Sequence, residues 1–185
     1  VRHLAGIDTD TFGVYIVTVP LEGAIRPERI GWEAIELRPR TTTKGRSLAS
    51  TFEAVVSCRL KILGCELLND PENQLAVAWI EHGYGGSRRN DFEQGRVQGA
   101  VAATLGDYMP VNEVNVGTWK KDVIGNGAAK KDQVREFLAA RGWFFPRQDL
   151  YDAFGIAVYG RLINDKITGA IWSPTGDGTE WGLPA

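Results

Sequence analysis

The chain opens on hydrophobic runs of strand length. Residues 3–19 alternate or run apolar around Gly6 and Gly13, which predicts two strands joined by a turn at 9–12. A third strand is expected around 31–37. From 47 to 68 the apolar positions Leu48, Phe52, Val55, Val56, Leu60, Leu63 and Leu67 follow a helical period, with Ser47 placed to cap it. Residues 75–81 form a continuous apolar run, as in a strand buried on both faces. A helix over about 90–105, a short strand near 111–116 and helices at about 130–141 and 149–162 complete the pattern. Three strands followed by alternating helix and strand predict an α/β domain with a mixed central sheet flanked by helices. That domain is expected to span 1–165, and 166–185, with its Gly, Pro and Thr, reads as an irregular tail.

At 185 residues, 43% hydrophobic and with six Trp, the chain has the length of one domain and the apolar side chains to fill its core. No run approaches the roughly eighteen apolar residues of a membrane-spanning helix, and a signal-peptide pattern is missing, so a soluble, cytoplasmic protein is expected. Cys58 and Cys65, seven apart on an expected helix, would sit about 10 Å apart along its axis. That is beyond disulfide reach, and both read as core thiols of a reducing compartment. The 21 Lys and Arg against 23 Asp and Glu leave a net charge of -2, which argues against a general nucleic-acid coat. Basic residues nevertheless cluster at Arg38, Arg40, Lys44 and Arg46, at Arg88 and Arg89, and at Lys120, Lys121, Lys130 and Lys131. Each cluster reads either as solvated surface or as part of an anion-binding face. If some of the acids are neutralised by bound cations, the remaining surface is net positive.

The acids offer the sharper chemistry. Asp8 and Glu81 end apolar runs of strand length, where a carboxylate is costly unless a cation stabilises it. Taken singly, such an Asp also caps a turn and such a Glu also marks an exit to solvent. Asp149 and Asp152, three apart, project from one face of a first helical turn, where like charges repel by a few tenths of a kcal/mol. Complementing the helix N-terminus accounts for acids there but says nothing of Asp8 and Glu81. Four hard oxygen donors on separate elements suit Mg²⁺ or Mn²⁺. Two such ions fit phosphodiester hydrolysis, activating a water and stabilising the departing oxygen.

With these residues in place, the sequence resembles the RuvC-like Holliday junction resolvases of the RNase H-like nucleases, most closely the phage and bacterial type, over residues 4–163. Gly6-Ile7-Asp8 is similar to the family's first strand, Ile80-Glu81 to its Ile-Glu strand end, and 149–157 to its Asp-x-x-Asp-Ala helix start. Gln94-Gly95-Arg96 is similar to its Gln-Ala-Arg-Gly segment, and 120–134, with Gly125-Asn126-Gly127, to its Gly-x-Gly-x-Ala-x-Lys segment. The resemblance implies a homodimeric, metal-dependent endonuclease acting on four-way DNA junctions, with Asp8, Glu81, Asp149 and Asp152 as both catalytic and metal-binding residues and two Mg²⁺ or Mn²⁺ per site. It puts Lys120 and Lys131 on DNA-contacting lysines, with Lys121 and Lys130 adjacent, and Tyr84 on an aromatic that stacks on or wedges between bases near the crossover. The family's Asp-Pro-Gly is Asp8-Thr9-Asp10 here, and Asp10 is read as shaping the turn, an added ligand being the alternative.

Residue chemistry bears on several of these points. Exposed amides at 125–127, ahead of an expected helix and beside lysines, would make an anion site. Gly95, Gly99 and Ala103 put a smooth stripe on one helix face, suited either to a dimer contact or to packing on the chain's own sheet. His82 and His3 read as residues without a role in the chemistry. Two other functions fit less well: a broader nuclease for flaps, forks or RNA/DNA hybrids, and a catalytically silent junction-binding protein, which the complete set of acids opposes. A kinase-like ATP site leaves the C-terminal Asp pair unexplained.

Overall fold

The computed structural model describes residues 1–10, 13–37, 48–71, 74–82, 88–167, 173–175 and 180–182. The basic run at 38–46, the Ser47 cap, part of the turn at 9–12 and Tyr84 with its neighbouring glycines lie outside the described residues. Strand β1 (Arg2–Thr9) pairs antiparallel with β2 (Gly13–Pro20), and β2 antiparallel with β3 (Gly31–Glu36). On its other side β1 runs parallel to β4 (Gln74–His82), which runs parallel to β5 (Val111–Asn115). The resulting sheet has the order β3-β2-β1-β4-β5, the mixed sheet that the pattern of elements predicts. Helix α1 (Leu48–Leu63), the short α2 (Glu66–Asn69) and α3 (Arg88–Gly106) precede and follow β4. Three more helices, α4 (Val116–Ile124), α5 (Lys131–Ala139) and α6 (Gln148–Ile167), follow β5.

The period of two along each strand divides the core. Ala5, Ile7, Val14, Ile16, Ala78 and Ile80 face α1 and α3 through Cys58, Ile62, Val97, Val101 and Leu105. Leu4, Tyr15, Val17, Val19 and Trp79 face α4, α5 and α6 through Trp119, Val134, Leu138 and Phe154. Helix α6 is buried along 150–161, consistent with its place between the sheet and the outer helices. Its far end is anchored by Arg161, which donates to Asp165 at 2.9 and 3.0 Å and to the carbonyls of Pro20 at 2.7 Å and Gly23 at 3.2 Å. This buried cation is therefore paired and hydrogen-bonded, as burial requires.

Several details depart from the sequence pattern. The helix expected over 47–68 breaks at Gly64 and Cys65, and its buried edge runs through Cys58, Ile62 and Cys65, while Val56, Leu60 and Leu63 remain exposed. Both thiols are free and buried, and Cys65 Sγ donates to Glu33 Oε2 at 2.6 Å. Helix α4 has no counterpart in the sequence reading, because Val116, Gly117, Thr118, Val123 and Ile124 are poor helix formers that prolong the preceding strand pattern. The Asn115 side chain starts it by accepting from Gly117 N at 2.9 Å. Beyond 165, α6 continues to Ile167, and Ser173–Thr175 and Glu180–Gly182 pair as β6 and β7 within the segment expected to be irregular. Among the described residues no helix is long and apolar enough to cross a membrane.

One contact sets the distance between sheet and helix. A Cβ on Gly6 would lie 2.2 Å from Ala153 O and 2.2 Å from Ala157 N, both main-chain atoms of α6. Neither can move without shifting the helix. Gly6→Ala is expected to destabilise the fold by about 3 kcal/mol, the cost of overpacking a rigid contact. Urea unfolding checks this, and an unchanged midpoint would show that α6 sits farther from β1.

Candidate metal centre

The alternation that buries Leu4 and Gly6 against α6 carries Asp8 to the same face. In β4 the same alternation takes Trp79 and then Glu81 to that face. The parallel register pairs Gly6 with Trp79 and Ile7 with Ile80, so Asp8 and Glu81 follow as neighbours on strands about 4.8 Å apart. Helix α6 begins over this strand end and presents Asp149 in its first turn and Asp152 three residues later. One carboxylate oxygen from each of Asp8, Asp149 and Asp152 lies within 4.8 Å of the others. Asp8 and the Asp149/Asp152 pair, far apart in sequence, are thereby brought to one point, and Glu81 borders it.

Asp8 and Asp152 are strongly desolvated. Asp8 is 6% exposed and Asp152 3%. Burial, followed by the charges of Glu81 and Asp152, holds the Asp8 carboxyl well above the ordinary carboxylate range. Burial likewise pushes Asp152 up to about 6, against the pull of Lys131 and Lys120. Glu81 is raised by burial, while a hydrogen bond from Trp119 and the charges of Lys120 and Lys131 draw it back. Asp152 Oδ1 is buried without a hydrogen-bond partner among the described residues. A hard divalent cation fits this donor set: it would take oxygen ligands and give the orphaned oxygen a partner.

Three side chains frame the acids. Trp119 Nε1 donates to Glu81 Oε2 at 2.7 Å. Its fully buried indole lies against Gly155 of α6, where a Cβ would fall 2.4 Å from the ring. Lys131, the first residue of α5, donates from Nζ to Asp149 Oδ1 and stands 3.8 Å from Asp152 Oδ2. Lys120 is 8% exposed and donates to Ala129 O at 3.0 Å. Its amine faces the protein interior beside the acids, where the sequence reading expects a phosphate-facing lysine. Packing against Trp119 in a helix the sequence does not announce accounts for that placement. Lys121 and Lys130 are exposed. Of the amides expected at 125–127 to form an anion site, that of Gly125 is consumed by Lys121 O, and those of Ala128, Ala129 and Lys130 just beyond are also bonded internally.

Other residues at the strand ends hold backbone. Gln94 donates to Thr9 O at 2.8 Å and Gln98 to Glu81 O, tying α3 to the ends of β1 and β4. His82 pairs with Glu113 at 3.1 Å on the surface. Gly95 and Gly99 are exposed with open space beside them, so the small-residue stripe does not pack on the chain's own sheet. Trp119 and Gln98 are the residues that sequence reading passes over. The signal that could find Trp119 is a large aromatic directly before the buried lysine, facing the small residues of α6.

The architecture is a RuvC-type, RNase H-like fold. It is similar to the structure of Thermus thermophilus RuvC, with TM-score 0.63 and 21% identity over 98% of this chain and 99% of that one. It is equally similar to T. thermophilus RuvC in complex with a Holliday junction substrate, with TM-score 0.64 and 20% identity over 98% and 99%. The yeast mitochondrial Holliday junction resolvase Ydc2 superposes with TM-score 0.55 and 11% identity over 90% of this chain and 82% of that one. No protein-family model and no curated protein matches the sequence.

The raised carboxyls make a prediction for the metal-free protein. Above about pH 4 the unfolded chain releases protons that folded Asp152 retains, so folding stability falls as pH rises, and the loss is complete above the folded value of about 6. Two units correspond to about 3 kcal/mol. Asp152→Asn is therefore expected to raise the melting temperature in chelator at pH 8 and to leave it nearly unchanged at pH 4. A variant less stable than its parent at pH 8 would show that Asp152 is stabilised as an anion by its neighbours.

Proposed function

We propose that the chain is a RuvC-like Holliday junction resolvase, a homodimeric endonuclease dependent on Mg²⁺ or Mn²⁺ that hydrolyses phosphodiesters at four-way DNA junctions. The observation that carries this reading is the convergence of Asp8, Asp149 and Asp152, two of them buried, with Glu81 beside them, at the strand ends of a RuvC-type fold. Solution of one such fold with a Holliday junction substrate supports the choice of DNA. Asp8, Asp149 and Asp152 would hold one ion, and Glu81 would complete the set for a second. Bound divalent ions supply the positive charge that lowers the pKa of an attacking water and neutralises the leaving 3′ oxygen.

The chain's own residues do the positioning. Trp119 fixes the rotamer of Glu81. Lys120, held by Ala129, is a stationary positive charge behind Glu81 and Asp152 and not itself a phosphate ligand. Exposed Lys121 and Lys130 meet DNA phosphates, and Lys131 stands at the boundary between acids and DNA. Tyr84, three residues beyond Glu81, stacks on a base at the crossover, a contact worth about 1 to 3 kcal/mol. The open face of Gly95, Gly99 and Ala103 takes a second copy, which gives two sites for the two strands of a symmetric junction.

Asp8→Asn, Glu81→Gln, Asp149→Asn and Asp152→Asn should each lower junction cleavage by at least about a hundredfold, the cost of a major transition-state stabiliser, while junction binding persists. A variant that cleaves normally removes its residue from the centre. Asp10→Asn should be much milder. Tyr84→Ala should leave thermal stability nearly unchanged and slow cutting of an intact junction more than cutting of one with unpaired bases at the crossover. Equal slowing on both substrates would rule out a wedge.

A further inference from the structure

The two lysines that flank the acids are held in different ways. Lys120 is buried and fixed through Ala129 O. Lys131 is held at its backbone, where Gln148 Nε2 donates to its carbonyl at 2.7 Å, while its side chain is 56% exposed and meets the acids only at its tip. Its ammonium touches Asp149 and approaches Asp152, two of the three carboxylates that converge within 4.8 Å. Asp8 is the third acid, and the Lys131 charge acts on it as well, although among the described residues no ammonium forms an ion pair with it. Lys131 thus occupies the solvent-facing side of the position that a divalent ion would share with the same oxygens.

An ammonium and a divalent cation repel, and they compete for the same lone pairs. The exposed stem gives Lys131 a way out that Lys120 lacks. We propose that Lys131 is a displaceable counter-ion: it neutralises the acids of the unmetallated centre, leaves them when the divalent ion binds, and then turns its ammonium to a DNA phosphate. Metal occupancy and phosphate contact are thereby coupled through one side chain, and by linkage each favours the other. The inference rests on the metal-site reading above and assigns to Lys131 a role distinct from a permanent phosphate contact.

Calorimetric titration of Mn²⁺ into the full chain without DNA tests the first half. Lys131→Met should bind Mn²⁺ about tenfold more tightly than the unsubstituted chain, because the competing cation is gone. Its melting temperature should be lower in chelator, and saturating Mn²⁺ should close that gap. For the second half, junction binding is measured against salt with Ca²⁺ and with chelator. The salt slope of the unsubstituted chain should steepen in Ca²⁺ by about one unit relative to Lys131→Met, as one added phosphate contact requires. Equal or weaker Mn²⁺ binding by Lys131→Met, or salt slopes that respond to Ca²⁺ identically in both proteins, would overturn the inference and leave the metal centre standing. Absence of Mn²⁺ binding in both proteins would remove the metal centre as well. Asp8→Asn, expected to bind Mn²⁺ weakly with Lys131 intact, separates the two failures.

Discussion

At Gly6 the main chain of β1 meets that of α6 so closely that a methyl group would fall 2.2 Å from two backbone atoms. That approach determines where the first turn of α6 can lie. Because side chains alternate along a strand, the residue two beyond Gly6 is on the same face, and that residue is Asp8. Because α6 begins over the ends of β1 and β4, Asp149 and Asp152 meet it there. Arg161 fixes the other end of the helix to the carbonyls of Pro20, which ends β2, and Gly23, so the helix cannot pivot away. The carboxylate cluster is a geometric consequence of one glycine, one helix and one anchoring cation.

The cluster works against folding. Burial raises Asp8, Glu81 and Asp152, repulsion among the acids adds to it at Asp8 and Asp152, and the lysines offset only part of that. The surrounding structure supplies the stability that tolerates it: an aromatic group of Trp143, Phe145, Tyr151 and Phe154 packs α6 onto the loop after α5. Phe145 N also donates to the Tyr151 hydroxyl at 3.1 Å. A rigid seat for a strained set of charges is what preorganised catalysis needs, since the acids then require no rearrangement when a cation arrives.

Much of this was legible in the sequence. Asp8 and Glu81 stood out because each ends an apolar strand, and the pair in α6 because a helical start brings i and i+3 together. The sheet and most helices followed from periods of two and of about 3.6. What stayed hidden has local causes. Helix α4 carries four β-branched residues in nine, so no element was expected under Trp119 and Lys120, and Lys120 was expected to face DNA. Helix α1 buries Cys58 and Ile62 and leaves Val56, Leu60 and Leu63 exposed, a choice of face that apolar spacing alone did not make. The stripe of Gly95, Gly99 and Ala103 had two readings until its open surroundings removed the internal one. Which lysine faces acid and which faces solvent depends on tertiary packing that spacing does not encode.

The activity proposed for this chain is metal-dependent cleavage selective for branched DNA. Its most direct measurement sets a mobile four-way junction, a flap and a plain duplex side by side, each with Mg²⁺ and with chelator. Paired nicks in the junction with Mg²⁺, little cutting of the flap and duplex, and none of any substrate with chelator are expected. Cleavage that persists in chelator, or duplex cut as readily as the junction, would contradict it.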